Sequence, residues 1–213
     1  MKGVVSVFPG SWFARLIIAG CLSQGSIIFA DENVAEQSAY ETVQLVTDQL
    51  LKKLAQVKPL YETDRKQFYM EVDSSLESFI DFNGFSRGVM AKYYRRTNDN
   101  QRELFNQTFR AALIETYSKA LVEFDTTSVL VKPEAKAQKD PKKARVSLEV
   151  HSKNGSIHAI EYSVVLLDGQ WKLRNVMIDG FNMGLQFRSQ FAAYMQKYKN
   201  NIDKVIENWN VDA

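Results

Sequence analysis

Cysteine is almost absent: Cys21 is the only one in 213 residues. It lies in a segment that reads as a cleaved leader, so the mature chain is expected to carry no thiol. That excludes disulfides, thiolate catalysis and cysteine–metal sites. Histidine is nearly as scarce, with only His151 and His158. A zinc site needs three or four N, S or O donors, and these two residues supply too few; they are expected to be solvated or at the core edge. Four prolines and ten glycines argue against a long flexible linker. No Gly-rich phosphate loop, Gly-x-Ser-x-Gly elbow or His-Glu-x-x-His pair occurs, leaving nucleotide hydrolysis and the commonest hydrolase chemistries unsupported. An excess of one charge is missing too, with 27 basic and 25 acidic residues. Removing Met1–Ala30 takes away Lys2 and Arg15 and no acid, which leaves the remainder balanced. Nucleic-acid binding needs a concentrated basic surface, so no nucleic-acid partner is expected.

What is present is ordinary globular material, 45% hydrophobic and 24% charged. Residues 1–30 read as a secretory signal. Lys2 and Arg15 supply the positive region, Leu16 to Ala30 is mostly apolar, and Ala30 precedes the acidic Asp31. The apolar run is interrupted by Ser23-Gln24-Gly25-Ser26 and falls short of the ~20 residues a membrane-spanning helix needs. Ile18-Ala19-Gly20-Cys21 resembles a lipobox, which makes a lipid-anchored form at Cys21 the minority alternative to a cleaved periplasmic protein. Residues 31–213 are read as one domain, large enough to be held by its core alone.

The first two-thirds of that domain has helical periodicity. Val43, Val46, Leu50, Leu51 and Leu54 mark a helix over about 33–56. A second is expected over 63–79, capped by Thr63 or Asp64, and a third from Asp81 to about Arg95. The longest, over about 99–125, carries an apolar stripe wide enough to be buried on more than one side, including Tyr117 and Leu121. The period then switches to alternation. Strands are expected over 128–132, 145–151, 157–167 and 170–178, the last three joined through Asn154-Gly155 and Asp168-Gly169 turns. Two helices, over about 183–199 and 200–209, close the chain.

Register decides which strand face is apolar. A three-residue loop with Gly155 in the left-handed region is expected to pair Val150 with Ile160, Leu148 with Tyr162 and Val146 with Val164. The Asp168-Gly169 turn continues that face, with Leu166 opposite Trp171 and Val164 opposite Leu173. The fold class is therefore α+β, an antiparallel sheet of about four strands wrapped by N- and C-terminal helices. A strongly apolar sheet face against long helices rich in bulky residues leaves room for a cavity between the layers, and periodicity alone does not distinguish a filled core from a hollow one. The candidate wall is Val146, Leu148, Val150, Ile160, Tyr162, Val164, Leu166 and Leu173, with Tyr117 and Leu121 as further lining candidates. Two carboxylates could act as a base in a cone-shaped α+β enzyme. Asp81 is expected instead to cap a helix, and Asp179 to sit in a turn with Gly180.

The run Phe79-Ile80-Asp81-Phe82, then Tyr93-Tyr94-Arg95, Gln101-Arg102-x-x-Phe105-x-x-x-Phe109 and Thr116-Tyr117 resembles the MlaC family, also called toluene-tolerance proteins. So do Asp168-Gly169-x-Trp171-Lys172-Leu173, Val176-x-Ile178-x-Gly180 and Arg188-Ser189-Gln190-Phe191. Departures include Ser78, where members usually have proline, and Tyr94, where they often have tryptophan. The resemblance implies a periplasmic phospholipid carrier of Gram-negative bacteria, not an enzyme, that maintains outer-membrane lipid asymmetry. Its implied partners are an inner-membrane MCE-domain ABC transporter and an outer-membrane lipoprotein–porin complex. No cofactor is implied, only bound phospholipid as cargo. Arg95, Arg96 and Arg188 are the candidate partner-docking residues, because arginine both pairs with carboxylates and stacks on aromatics.

Overall fold

The computed structural model describes residues 37–123, 126–133 and 139–210. The expected leader, Cys21 and the cleavage position lie outside the described residues. Helix α1 (Ala39–Val57) begins at Ser38, whose hydroxyl accepts from the Glu41 N–H while the Glu41 carboxylate accepts from the Ser38 N–H. This reciprocal box satisfies two of the helix's orphan donors. A single turn, α2 (Leu60–Thr63), leads to α3 (Arg65–Glu77), capped by the Asp64 carboxylate.

Helix α4 (Phe82–Met90) is capped by Asp81, which accepts from the Gly84 N–H at 2.8 Å. The expected continuous helix to Arg95 is corrected: α4 stops at Met90, and Ala91–Arg96 winds as a tighter 3-10 segment. The break sits at Ala91, whose φ of 48° and ψ of −119° suit glycine better than alanine. Helix α5 (Asp99–Glu123) buries Phe105, Phe109, Ile114 and Ser118, matching its wide stripe.

Five strands follow: β1 (Thr126–Val131), β2 (Lys143–Ser152), β3 (Ile157–Leu167), β4 (Gln170–Ile178) and β5 (Phe181–Asn182). They form one antiparallel sheet in the order β1-β2-β3-β4-β5. The two-residue β5 is too short to show alternation, which is why about four strands were expected. Helices α6 (Met183–Lys197) and α7 (Ile202–Glu207) complete the chain. No helix among the described residues is long and apolar enough to cross a membrane.

The β2–β3 register differs from expectation. Val146 stands opposite Tyr162, Leu148 opposite Ile160 and Val150 opposite His158. The loop does hold three residues, Lys153-Asn154-Gly155, and Gly155 does take a positive φ of 84°. It closes one residue earlier than expected, with Ser152 N–H donating to Ser156 O. Partners therefore shift by two. Because side chains alternate with a period of two, that shift leaves every residue on its expected face. On the outer face Glu149 stands opposite Ala159 and pairs with Lys132, while Glu161 pairs with Arg145.

The β3–β4 register agrees at Val164–Leu173 and Leu166–Trp171, then breaks at a bulge. Ser163 pairs with Asn175, so Arg174 is the extra residue. The bulge resets the alternation, so Trp171 and Leu173 before it share a face with Val176 and Ile178 beyond it. Beside the bulge, the free edge of β4 is covered by residues 79–81: Leu173 N–H donates to Phe79 O at 2.7 Å, and Asp81 N–H to Leu173 O at 2.9 Å. A covered edge cannot template further strand pairing.

The core has three parts. One gathers α4–α7 around Phe105, Phe109, Phe191 and Trp209. Another packs α1 and Phe79 on the inner sheet face at Val146, Leu148, Val164 and Leu173. The third joins α1, α2 and α3 through Val57, Tyr61, Phe68 and Val72. Each fills its own space, and the room left where they meet positions the site.

Candidate functional site

A cavity of about 310 Å³ lies at that junction. It takes Phe85 and Phe187 from the first cluster, Phe79 and Leu173 from the second, and Leu50 and Leu76 from the border of the third. The volume is about twice the ~150 Å³ of an engineered apolar cavity that stays dry and binds benzene. Among the described residues its wall is aliphatic and aromatic, with polar side-chain atoms at Thr47, Tyr117, Ser118, His158 and Tyr162. Such a wall offers dispersion and exclusion of water, and little else.

Of the residues expected on the wall, Val150, Ile160, Tyr162, Leu173 and Tyr117 line it. Val146, Leu148 and Val164 are instead sealed in the sheet–α1 cluster, at 1%, 2% and 1% exposure. Leu166 stands opposite Trp171, toward the far end of β3, and does not border the cavity. The side chain of Leu121 lies outside the described residues. The division has a simple cause: Ala39 and Val43 of α1 pack on the part of the sheet near Ala144–Leu148, and the cavity lies against the hairpin side of it, at Val150, His158 and Ile160.

His158 was the readable omission. It continues the alternation of Ile160 and Tyr162, and it lines the cavity. Val176 and Ile178 carry no such signal, because the bulge alone puts them on the inner face. The two tyrosines are held neutral by burial: the Tyr117 phenol is pushed up to about 12, and Tyr162 is raised as well. The Tyr117 hydroxyl is buried with no hydrogen-bond partner among the described residues.

The carboxylates weighed as bases are otherwise engaged. Asp81 caps α4 and pairs with Arg174. Asp179 binds His158 Nδ1 through Oδ2 at 2.7 Å and the Ala159 N–H through Oδ1 at 2.9 Å. The His158 hydrogen bond, then that of Ala159, holds the Asp179 carboxyl below its usual range, the reverse of what a general base near neutrality needs. Among the described residues no group of three or more His, Cys, Asp or Glu could hold a metal ion.

Arg95 and Arg96 are exposed on the 3-10 segment beyond α4, whereas α4 reaches the cavity through Phe82 and Phe85 near its start. Arg188 Nε donates to Gly88 O at 3.0 Å, tying α6 to α4.

Comparison with known proteins agrees with this geometry. The MlaC protein family model matches residues 44–211. The toluene tolerance protein ttg2D of Pseudomonas putida is 36% identical over 177 residues, which cover 83% of this chain and 81% of that protein. The intermembrane phospholipid transport system binding protein MlaC of Haemophilus influenzae is 22% identical over 153 residues, or 70% and 71% of the two chains. A phospholipid-binding protein from Ralstonia solanacearum, solved in complex with a phospholipid, has the same fold. Its TM-score is 0.72 at 23% identity, covering 80% of this chain and 93% of that one.

Proposed function

The chain belongs to the MlaC family, and from that premise we propose that it is a periplasmic carrier that shields phospholipid acyl chains between the two membranes of a Gram-negative envelope. The observation that carries this reading is the apolar cavity at the meeting of the three core clusters, lined from both the sheet and the helices. It is a binding protein rather than an enzyme. Each methylene withdrawn from water is worth ~0.8 kcal/mol, so a dozen represent roughly 10 kcal/mol that an unshielded lipid would lose on leaving a bilayer. A cavity walled by Ile160, Val176, Phe85 and Leu113 substitutes for that bilayer.

In this reading the cargo is phospholipid and no cofactor takes part. Energy for directed transport would come from partners, an inner-membrane MCE-domain ABC transporter and an outer-membrane lipoprotein–porin complex. Arg95 and Arg96 are the docking candidates toward them, and maintenance of outer-membrane asymmetry is the physiological role. The mature form starts near Asp31; the mass of the exported protein separates this from acylation at Cys21. The carrier reading is tested by incubating the protein with phospholipid vesicles, separating the two, and measuring lipid phosphorus carried with the protein. Lipid phosphorus at about one lipid per chain supports it, and none contradicts it.

A further inference from the structure

The site has two ends with different polar groups. His158 and Leu166 stand eight residues apart along β3, roughly 26 Å at ~3.3 Å per residue. Near the Leu166 end a second groove of about 200 Å³ runs beside Gln37, Ser78 and Trp171 and shares Val46 and Phe79 with the cavity. Phe79, only 4% exposed, stands between the two spaces. The cation of that groove, Lys172, is committed to Ser78 O.

At the other end stands His158, which among the described residues is the one on the cavity wall that can carry positive charge. Its side chain is 31% exposed and that of Asp179, which holds it, 43%, so this pair is a part-exposed polar border of an otherwise apolar wall. Apolar neighbours flank it across the sheet, with Val150 opposite on β2 and the Ile160–Ile178 pair one step inward. The ring is aimed from the β4–β5 turn. Asp179, with a φ of 48°, binds His158 Nδ1 through one oxygen and the Ala159 N–H through the other, and its own N–H donates to Ala159 O at 2.8 Å. Both carboxylate oxygens thus have protein donors, which fixes the ring's orientation.

We propose that this rim is the phosphate end of the cavity: His158, oriented by Asp179, receives the phosphate of a diacyl lipid whose chains run inward past Ile160, Tyr162 and Leu173. The inference rests on the carrier reading and adds to it the orientation of the cargo. A hydrogen bond from an imidazole to a phosphate is charge-assisted and about twice as strong as a neutral one. It also matches an amphiphile's two halves to the two kinds of surface present: an ionisable, wet rim and a dry wall.

The chain has only two histidines, and His151 stands on the opposite sheet face, paired with Ile157. The imidazole nitrogen NMR spectrum of the full protein therefore contains a site signal and an internal control, assigned with His151→Gln. Three probes are added separately: dioleoylphosphatidylglycerol, dioleoylglycerol with the same chains and no phosphate, and inorganic phosphate. The phospholipid should shift His158 and leave His151 in place, while dioleoylglycerol binds without shifting either and inorganic phosphate shifts neither. In competition, wild-type protein should prefer the phospholipid on the order of tenfold, one charge-assisted hydrogen bond's worth. His158→Phe should lose that preference and Lys172→Met should keep it. Equal His158 shifts with both lipids, the same shift with inorganic phosphate alone, or loss of preference in Lys172→Met rather than His158→Phe overturns the assignment while the carrier reading stands. If neither lipid binds, the carrier reading falls and this inference with it.

Discussion

Arg174 Nε donates to Asp81 Oδ2 at 2.8 Å, joining the bulge of β4 to the N-terminus of α4. A strand bulge and a helix cap thus meet in one ion pair. The bulge frees Arg174 from the ladder, and Asp81 uses its other oxygen to cap Gly84. Residues 79–81, hydrogen-bonded to Leu173, bring Phe79 onto the cavity wall, and Phe82 and Phe85 follow from α4.

Asp81→Ala removes a helix cap, worth ~1 kcal/mol, together with the partner of Arg174. The Arg174 side chain is 41% exposed and can turn to water, so the ion pair adds less than a buried one would. A total loss of about 1–2 kcal/mol is expected in urea unfolding. Gly84→Ala should also destabilise, because its Cβ would lie 2.1 Å from Asp81 Oδ2 and 2.6 Å from Arg174 Nε. Wild-type stability in both variants would show that this junction is not under tension from either side.

Tryptophan scanning separates cavity from core. Ile160 lines the cavity, so Ile160→Trp should fill it, reduce bound lipid and leave the midpoint of unfolding nearly unchanged. Val164 is 1% exposed in the sheet–α1 cluster, so Val164→Trp should overpack it at a cost of ~1–3 kcal/mol. Lipid content and melting temperature measured together decide it: the reverse pattern would move the cavity.

Tyr117 gives a pH-dependent test. Its hydroxyl is buried with no partner among the described residues, so Tyr117→Phe should stabilise the fold by ~1 kcal/mol at neutral pH. The phenol's pKa is 10.0 in the unfolded reference and about 12 in the folded protein. The neutral form therefore supports folding fully below pH 10.0, and that support is lost as pH rises through about 12. The advantage of Tyr117→Phe should widen across that window in denaturant melts. Tyr162 shifts the same way and remains in both proteins, so only the difference between them reports on Tyr117.

Much of the fold was legible because amphipathic periods are strong over long elements. The α1 stripe, the wide α5 face and the β3 alternation all correspond to observed elements. The inner face of the sheet survived a wrong register because the error was two residues, one full side-chain period. The bulge at Arg174 and the helix break at Ala91 left no local mark, since neither position holds the glycine that would have announced it. The wall was only half readable. Alternation says which residues face inward, but whether a facing residue meets α1 or empty space depends on where a distant helix lands, as Val164 and Ile160 show.

The docking candidates divide by their contacts. Arg188 bonds Gly88 O between α6 and α4, so Arg188→Glu should lower the melting temperature and weaken any partner binding through that loss. Arg95 and Arg96 are exposed on the 3-10 segment, and Arg95→Glu and Arg96→Glu should leave melting temperature and lipid content unchanged. If this segment docks, at least one of the two weakens binding to the transporter's periplasmic domain in a pull-down. Normal binding by both places the docking surface elsewhere.

The central claim is that the cavity among Phe79, Phe85, Leu113 and Ile160 is made for acyl chains. Native mass spectrometry of the protein isolated from the periplasm of a Gram-negative host, followed by organic extraction, tests it most directly. The expected result is a folded protein carrying diacyl phospholipid, lost on extraction and absent or depleted in Ile160→Trp. A folded protein of bare polypeptide mass, with no extractable lipid even after incubation with phospholipid vesicles, would contradict it.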